Sequence, residues 1–168
     1  MRQPSPNKKI EHRQVAPSTP PTVGMSGLER YFFENYLGRL GVHIVYQYEV
    51  SSIGRFFDFA IVNTLKDGGL IMEEKNGINA VSQNAQYTRP IAMIEVDGDY
   101  YHYNPSTNKK RMNGMQMKNK QADAIKNQWC KTNRVPILRL WESDIRNNAP
   151  LVIKKLNELL TAIGKKKS

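Results

Sequence analysis

Residues 91–97 read Ile-Ala-Met-Ile-Glu-Val-Asp, and this run constrains the fold more than any other stretch. Its apolar members suit a buried strand, yet Glu95 and Asp97 stand two apart at its end, so both side chains leave on one face. A carboxylate taken out of water is costly unless a partner compensates it. Residues 54–63, Gly-Arg-Phe-Phe-Asp-Phe-Ala-Ile-Val-Asn, repeat the conflict: Asp58 stands among Phe56, Phe57 and Phe59. The spacing predicts that Glu95 and Asp97 point together toward Asp58. Three acids that must all stay ionised call for a cation, and hard carboxylate oxygens suit Mg²⁺. Gly98 then lets the chain bend, and the following Asp-Tyr-Tyr-His-Tyr-Asn brings His102 back over the acids.

The rest of the chain supplies elements to hold such strands. Ser26 with Glu29 three residues on forms a capping box, opening a helix on which Leu28, Phe32, Tyr36 and Leu40 recur until Gly41 stops it. Residues 42–50 and 54–63 read as a hairpin joined at Ser51–Gly54, the second strand alternating Phe57, Phe59 and Ile61 with Asp58, Ala60 and Val62. Leu70–Lys75 suggests a short strand, 90–96 a buried one, and Met115–Lys131 a helix. Residues 135–141 form a short apolar strand with 142–148 as its exit. A last helix from Pro150 to Ile163 buries Leu151, Ile153, Leu156, Leu159, Leu160 and Ile163. There is no internal repeat. The order implies an α/β layer structure, a mixed central sheet flanked by helices. It forms one domain over 25–164. Residues 1–24, with five of the nine prolines, form a disordered basic leader, and 165–168 a basic tail.

Composition narrows the function. No stretch approaches the roughly 18 apolar residues of a membrane helix, and the N-terminal residues lack the apolar core of a signal peptide. The single cysteine, Cys130, permits no internal disulfide, and with three histidines it leaves no four-ligand structural zinc site. A cytoplasmic protein without a membrane partner is the expectation. The net charge of +10 is uneven. Residues 25–102 hold six Lys/Arg against ten Asp/Glu, whereas 103–134 hold Lys109, Lys110, Arg111, Lys118, Lys120, Lys126, Lys131 and Arg134 against Asp123 alone. A basic segment following an acidic half fits a polyanion gripped beside a carboxylate cluster. Lys118, Lys120 and Lys126 extend that grip along the helix if they face outward. Tyr100, Tyr101 and Tyr103 are available to stack on bases or to pack on the sheet.

Five stretches in this order carry a resemblance. They are GLERYFF (Glu29), GRFFDFAI (Asp58), IEVDGDYYH (Glu95, Asp97, His102), QADAIKNQW (Asp123) and VPILRLWESDI. Over residues 26–145 the chain resembles the PD-(D/E)xK nuclease superfamily, in particular its very-short-patch-repair-like and EDxHD homing-type endonucleases. The resemblance implies a restriction-endonuclease-like core and a metal-dependent endonuclease that nicks or cleaves DNA by hydrolysing phosphodiester bonds. It implies Asp58 as the central metal ligand with Glu95 and Asp97, the last standing where other members carry a lysine. It implies His102 as the acid–base group, Asp123 orienting it or joining the site, and Glu29 completing the site from the first helix. Mg²⁺ is the implied cofactor, with Mn²⁺ as a substitute. The implied partner is double-stranded or branched DNA in a bacterial or phage-infected cell, and a homodimer is left open. Two features depart from the pattern. The cysteines for the zinc of the very-short-patch repair enzymes are missing, and 66–89 is long and offers Glu73-x-Lys75 as a competing second motif. That competitor has a weaker apolar run and no associated histidine. A junction or flap resolvase of the same fold is a rival reading. A nucleic-acid-binding protein with a decayed core is another, against which the intact Asp58, Glu95, Asp97, His102 and Asp123 argue.

Overall fold

The computed structural model describes residues 25–62 and 89–164. The leader, the run at 70–75 with Glu73 and Lys75, and the basic tail lie outside the described residues. Helix α1 (Gly27–Asn35) opens with the expected capping box: the Ser26 hydroxyl accepts from the Glu29 amide at 3.1 Å, and Glu29 Oε1 accepts from the Ser26 amide at 2.9 Å. It ends before Gly41. A 3₁₀ turn at Leu37–Arg39 intervenes, burying Leu37, and Gly41 at φ 70° redirects the chain.

Strands β1 (His43–Val50), β2 (Arg55–Val62), β3 (Pro90–Asp97) and β4 (Ile137–Trp141) lie side by side in that order. The first three are antiparallel; β3 and β4 run parallel. A parallel pair needs a crossover, and helix α2 (Gly114–Asn133) supplies it. Its start is set by a second capping box, Asn113 with Gln116, and its end by Arg134 in the left-handed region. The expected irregular exit after β4 is instead a short helix, α3 (Glu142–Asn147). Helix α4 (Ala149–Ala162) follows, its first turn capped by the Asn148 side chain. The buried stripe of α4 is Val152, Leu156, Leu159 and Leu160, so Ile153 is on the wrong phase and 47% exposed. One position is a quarter-turn on a helix, enough to move a side chain out of the core.

Helices cover both faces of the sheet. On one, α1, α3 and α4 pack Phe32, Phe33, Ile145 and Leu156 against Ile44, Tyr46, Phe59, Ile94 and Leu140. On the other, Trp129 and Cys130 of α2 meet Val45, Tyr48, Phe57, Ala60 and Met93. The chain is therefore α/β, with a four-stranded mixed sheet flanked by helices. Among the described residues no helix is long and apolar enough to cross a membrane.

The expected alternation in β2 fails at one place. Phe57 sits with Tyr48 on the α2 face, whereas Phe59 sits with Tyr46 on the other. Both strands change sides between these pairs, at Asp58 and at Gln47, whose φ is 57°. A kink of this type re-aims the side chain it carries.

Candidate active site

The kink gives the half-buried Asp58 its partners. The β2–β3 ladder runs from Val62 to Phe59, opposite Ile94, and then the strands part. Carboxylates take over the missing backbone pairing: the Asp58 amide donates to Glu95 Oε2 at 2.7 Å, and the Val96 amide donates to Asp58 Oδ2 at 2.9 Å. Buried backbone donors require acceptors, and here two acids provide them. Lys126 of α2 donates from Nζ to Glu95 Oε1 at 2.8 Å and lies over the Phe57 ring. On the other side the Tyr46 hydroxyl donates to Glu29 Oε1 at 2.9 Å. Burial pushes the Asp58 carboxyl well above its ordinary range, helped by the charges of Glu95 and Glu29 and opposed by the Val96 amide and Lys126. Burial also raises Glu95, with the charge and hydrogen bond of Lys126 pulling back.

Asp97, expected to point with Glu95 toward Asp58, is held by Arg139. It stands about 6.6 Å further along β3 than Glu95, where Arg139 of β4 claims it: Nη1 donates to Oδ1 and Oδ2, each at 3.1 Å. Arg139 also donates from Nε to Asn127 Oδ1 at 2.9 Å and stands 3.4 Å from Asp123 Oδ1. His102 Nδ1 lies 2.9 Å from Asp123 Oδ2 and 3.8 Å from Asp97 Oδ1. Burial disfavours the charged imidazole, but the Asp123 hydrogen bond and the charges of Asp97 and Asp123 outweigh it, so the His102 pKa rises. Burial disfavours ionised Asp123 too, yet the His102 bond and Arg139 bring its pKa below the ordinary value. One ligand atom each from Asp97, His102 and Asp123 lie within 4.8 Å of one another, close enough to hold a metal ion. Arg139 already delivers positive charge to both of those carboxylates.

The segment between β3 and α2 is tied down at many points. The Asn104 amide donates to the Asp99 carbonyl at 2.8 Å, and Asn104 Nδ2 to Asp99 Oδ1 at 3.2 Å. Gln116 Nε2 donates to the Tyr100 carbonyl at 2.6 Å and Asn119 Nδ2 to the Tyr101 carbonyl at 2.8 Å. Tyr100 and Tyr101 meet edge to face and stay 53% and 57% exposed, while the Tyr103 hydroxyl donates to the Lys110 carbonyl. Lys109, Lys110, Arg111 and Lys118 are exposed, and Lys120 lies over the Trp141 ring. Lys126 is the exception among the expected phosphate contacts. Its side chain is 14% exposed and turned inward to Glu95.

Three site residues escaped the sequence reading: the inward role of Lys126, and Arg139 and Tyr46 altogether. Two left a signal. Lys126 stands three residues after Asp123, hence on the same helix face. Arg139 interrupts the apolar run Ile-Leu-Arg-Leu-Trp of β4, the mirror of the acids in β3. No family model, curated protein or solved structure matches the chain. What the site can do follows from its own chemistry.

Proposed function

We propose that the protein is a metal-dependent endonuclease that hydrolyses phosphodiester bonds in DNA, built on a restriction-endonuclease-like core. The observation that carries this reading is the meeting of Asp58 and Glu95 where β2 and β3 part, one strand step from the His102–Asp123 pair. Asp58 and Glu95 offer only hard oxygens; Lys126 bonds Glu95 Oε1 at 2.8 Å and Arg139 Nη1 stands 3.9 Å from the same oxygen, so both of these cations meet Glu95 at Oε1. That donor set fits Mg²⁺ or Mn²⁺. In the neighbouring group Arg139 Nη1 already spans both oxygens of Asp97, so this reading assigns the metal to Asp58 and Glu95 and not to Asp97.

A bound Mg²⁺ supplies charge stabilisation at the scissile phosphate. His102 does the proton work. With Nδ1–H donating to Asp123 Oδ2, its Nε2 lone pair is left to accept a proton from the attacking water or to return one to the leaving oxygen. Asp123 fixes that tautomer, and Arg139 holds Asp97 and Asp123 around the ring. Lys126 fixes one oxygen of Glu95 while the other takes the Asp58 amide. Lys109, Lys110, Arg111 and Lys118 lie on the segment that carries His102 and on the start of α2, suited to phosphates flanking the scissile bond.

Supercoiled plasmid incubated with wild type or Asp58→Asn, in Mg²⁺, Mn²⁺ and EDTA, tests the reading. Nicking or linearisation is expected with wild type and metal alone. A wild type that retards DNA but cuts neither plasmid nor branched substrates would hand the function to a nucleic-acid-binding module.

A further inference from the structure

Lys120 and Trp141 hold no place in the chemistry so far. Trp141 ends β4 on the face that carries Ile137 and Arg139, toward α2. It is half-buried, yet it belongs to neither apolar cluster of the core. Its indole N–H donates to nothing among the described residues. Its one aromatic-face contact is the Lys120 ammonium, 5.3 Å from the ring centroid. Lys120 in turn makes no ion pair among the described residues, although Asp97 and Asp123 stand on the same side of the sheet.

These two residues are walls of a cavity of about 300 Å³ between β4 and α2. Helix α2 gives it one face, Lys120, Asp123, Ala124 and Asn127, at spacings of three and four. The sheet adds Asp97, Arg139 and Trp141. Two cations meet two acids there, so a phosphate gains no net attraction. An aromatic wall with polar groups at its margin suits a flat, neutral heterocycle instead, and the volume is at the small end for ligand sites. Asn127 Oδ1 accepts from Arg139 Nε at 2.9 Å, which leaves Nδ2 to donate elsewhere. Asp123 places the cavity, because its Oδ2 also stands 2.9 Å from His102 Nδ1. An occupant therefore shares a wall with the imidazole. We infer that the cavity receives one unpaired nucleobase of the DNA strand being cut, stacked on Trp141. The base displaces the ammonium from the ring, and the flexible lysine stem lets Nζ donate to the base edge beside Asn127 Nδ2. The substrate class is then DNA with an unpaired nucleotide beside the scissile bond, since a base inside an intact duplex is out of reach of such a cavity. This rests on the nuclease reading above and names the substrate of that site.

The test is the affinity of the full chain, in EDTA, for three ligands. They are a duplex with a single bulged thymine, the fully paired duplex of the same sequence, and free thymidine. Wild type is expected to bind the bulged duplex about 10-fold tighter than the paired one, the scale of one base–aromatic stack. Trp141→Leu removes the stacking wall, and Ala124→Leu fills the cavity from an exposed helix position without deleting a bond. Both should bring the ratio to parity, and Trp141→Phe should keep part of it. Ala124→Leu decides the matter even if Trp141→Leu does not fold. Equal wild-type affinities for the two duplexes, or a ratio that survives Ala124→Leu, would overturn the proposal. So would free thymidine that saturates the cavity while the duplexes bind alike, because the site would then serve a free nucleoside. The two readings fail separately. Metal-dependent plasmid nicking without a preference for the bulge refutes the base seat and keeps the nuclease. A bulge preference lost in Ala124→Leu, from a protein that cuts neither plasmid nor bulged duplex in Mg²⁺ or Mn²⁺, keeps the seat and refutes the nuclease.

Discussion

Glu95 and Asp97 leave β3 on the same face, two residues apart, yet they are compensated in opposite ways. Glu95 meets a lysine, which engages Oε1 only, so Oε2 remains for the Asp58 amide. Asp97 meets an arginine, whose Nη1 spans both oxygens and stands 3.4 Å from Asp123 Oδ1, while Nε reaches Asn127 and Nη2 the Asp123 carbonyl. An ammonium is a point charge and a guanidinium a fork, so Lys126 holds one oxygen of Glu95 whereas Arg139 holds both oxygens of Asp97. The lesson is that two acids of one motif need not share a task. The first group is the one to which the proposed metal is assigned; in the second an imidazole stands 2.9 Å from a carboxylate.

The sharpest way to break this contrast is to neutralise each acid in turn. Glu95→Gln is expected to cut plasmid nicking by on the order of 10³-fold and to raise the metal requirement, the scale of losing metal-based charge stabilisation. Asp97→Asn should leave the Mn²⁺ midpoint of thermal stabilisation where it was. Equal shifts from the two would mean that they form one ligand set after all. Next comes His102→Gln, for which single-turnover nicking should slow by about 10²–10⁴-fold at an unchanged metal midpoint.

Arg139→Ala sharpens the contrast from the other side. Leaving Asp97 buried without its partner should lower unfolding free energy by about 3 kcal/mol in urea. It should also open Asp97, His102 and Asp123 to Zn²⁺, measurable by calorimetry as a site absent from wild type. A variant that gains no Zn²⁺ affinity would show that Arg139 is not what keeps metal out.

The pH dependence is smaller and its sign follows from the shifts. His102 is raised above the ordinary 6.5, so nicking that uses neutral imidazole should climb with pH and level off above that value, and Asp123→Asn should move the climb to lower pH. For stability, raised His102 contributes fully below about 6.5 and loses its contribution as pH rises through the folded value. Lowered Asp123 contributes above about 3.9 and loses it as pH falls through its own folded value. The pair is therefore worth most between about pH 4 and 6.5, and His102→Gln should destabilise the protein more at pH 5.5 than at pH 9. The smallest effect is expected at Lys118→Ala, which should reduce the salt dependence of DNA binding by about one ion.

Much of the framework was legible because it rests on local rules. Ser26 and Glu29 announced the first helix, and the acids in β2 and β3 announced that something must compensate them. What was not legible depends on neighbours distant in sequence. Nothing in the chain before β4 says that Asp97 belongs to Arg139. The reversal between Phe57 and Phe59 hangs on Gln47, a residue with no glycine-like preference for positive φ, held there by the sheet. The phase of α4 was ambiguous because Leu151, Val152 and Ile153 are consecutive apolar residues, and only packing selects Val152.

The substitution of carboxylates for carbonyls where β2 and β3 part gives the molecule a built-in gauge. The amide protons of Asp58 and Val96 end on acceptors whose charge can change, unlike every carbonyl-bound amide beside them. Loading a diamagnetic ion, protonating the pair or removing Lys126 should shift these two resonances first in a nitrogen–proton spectrum. The occupancy of the site can thus be followed from the backbone, with neither substrate nor turnover.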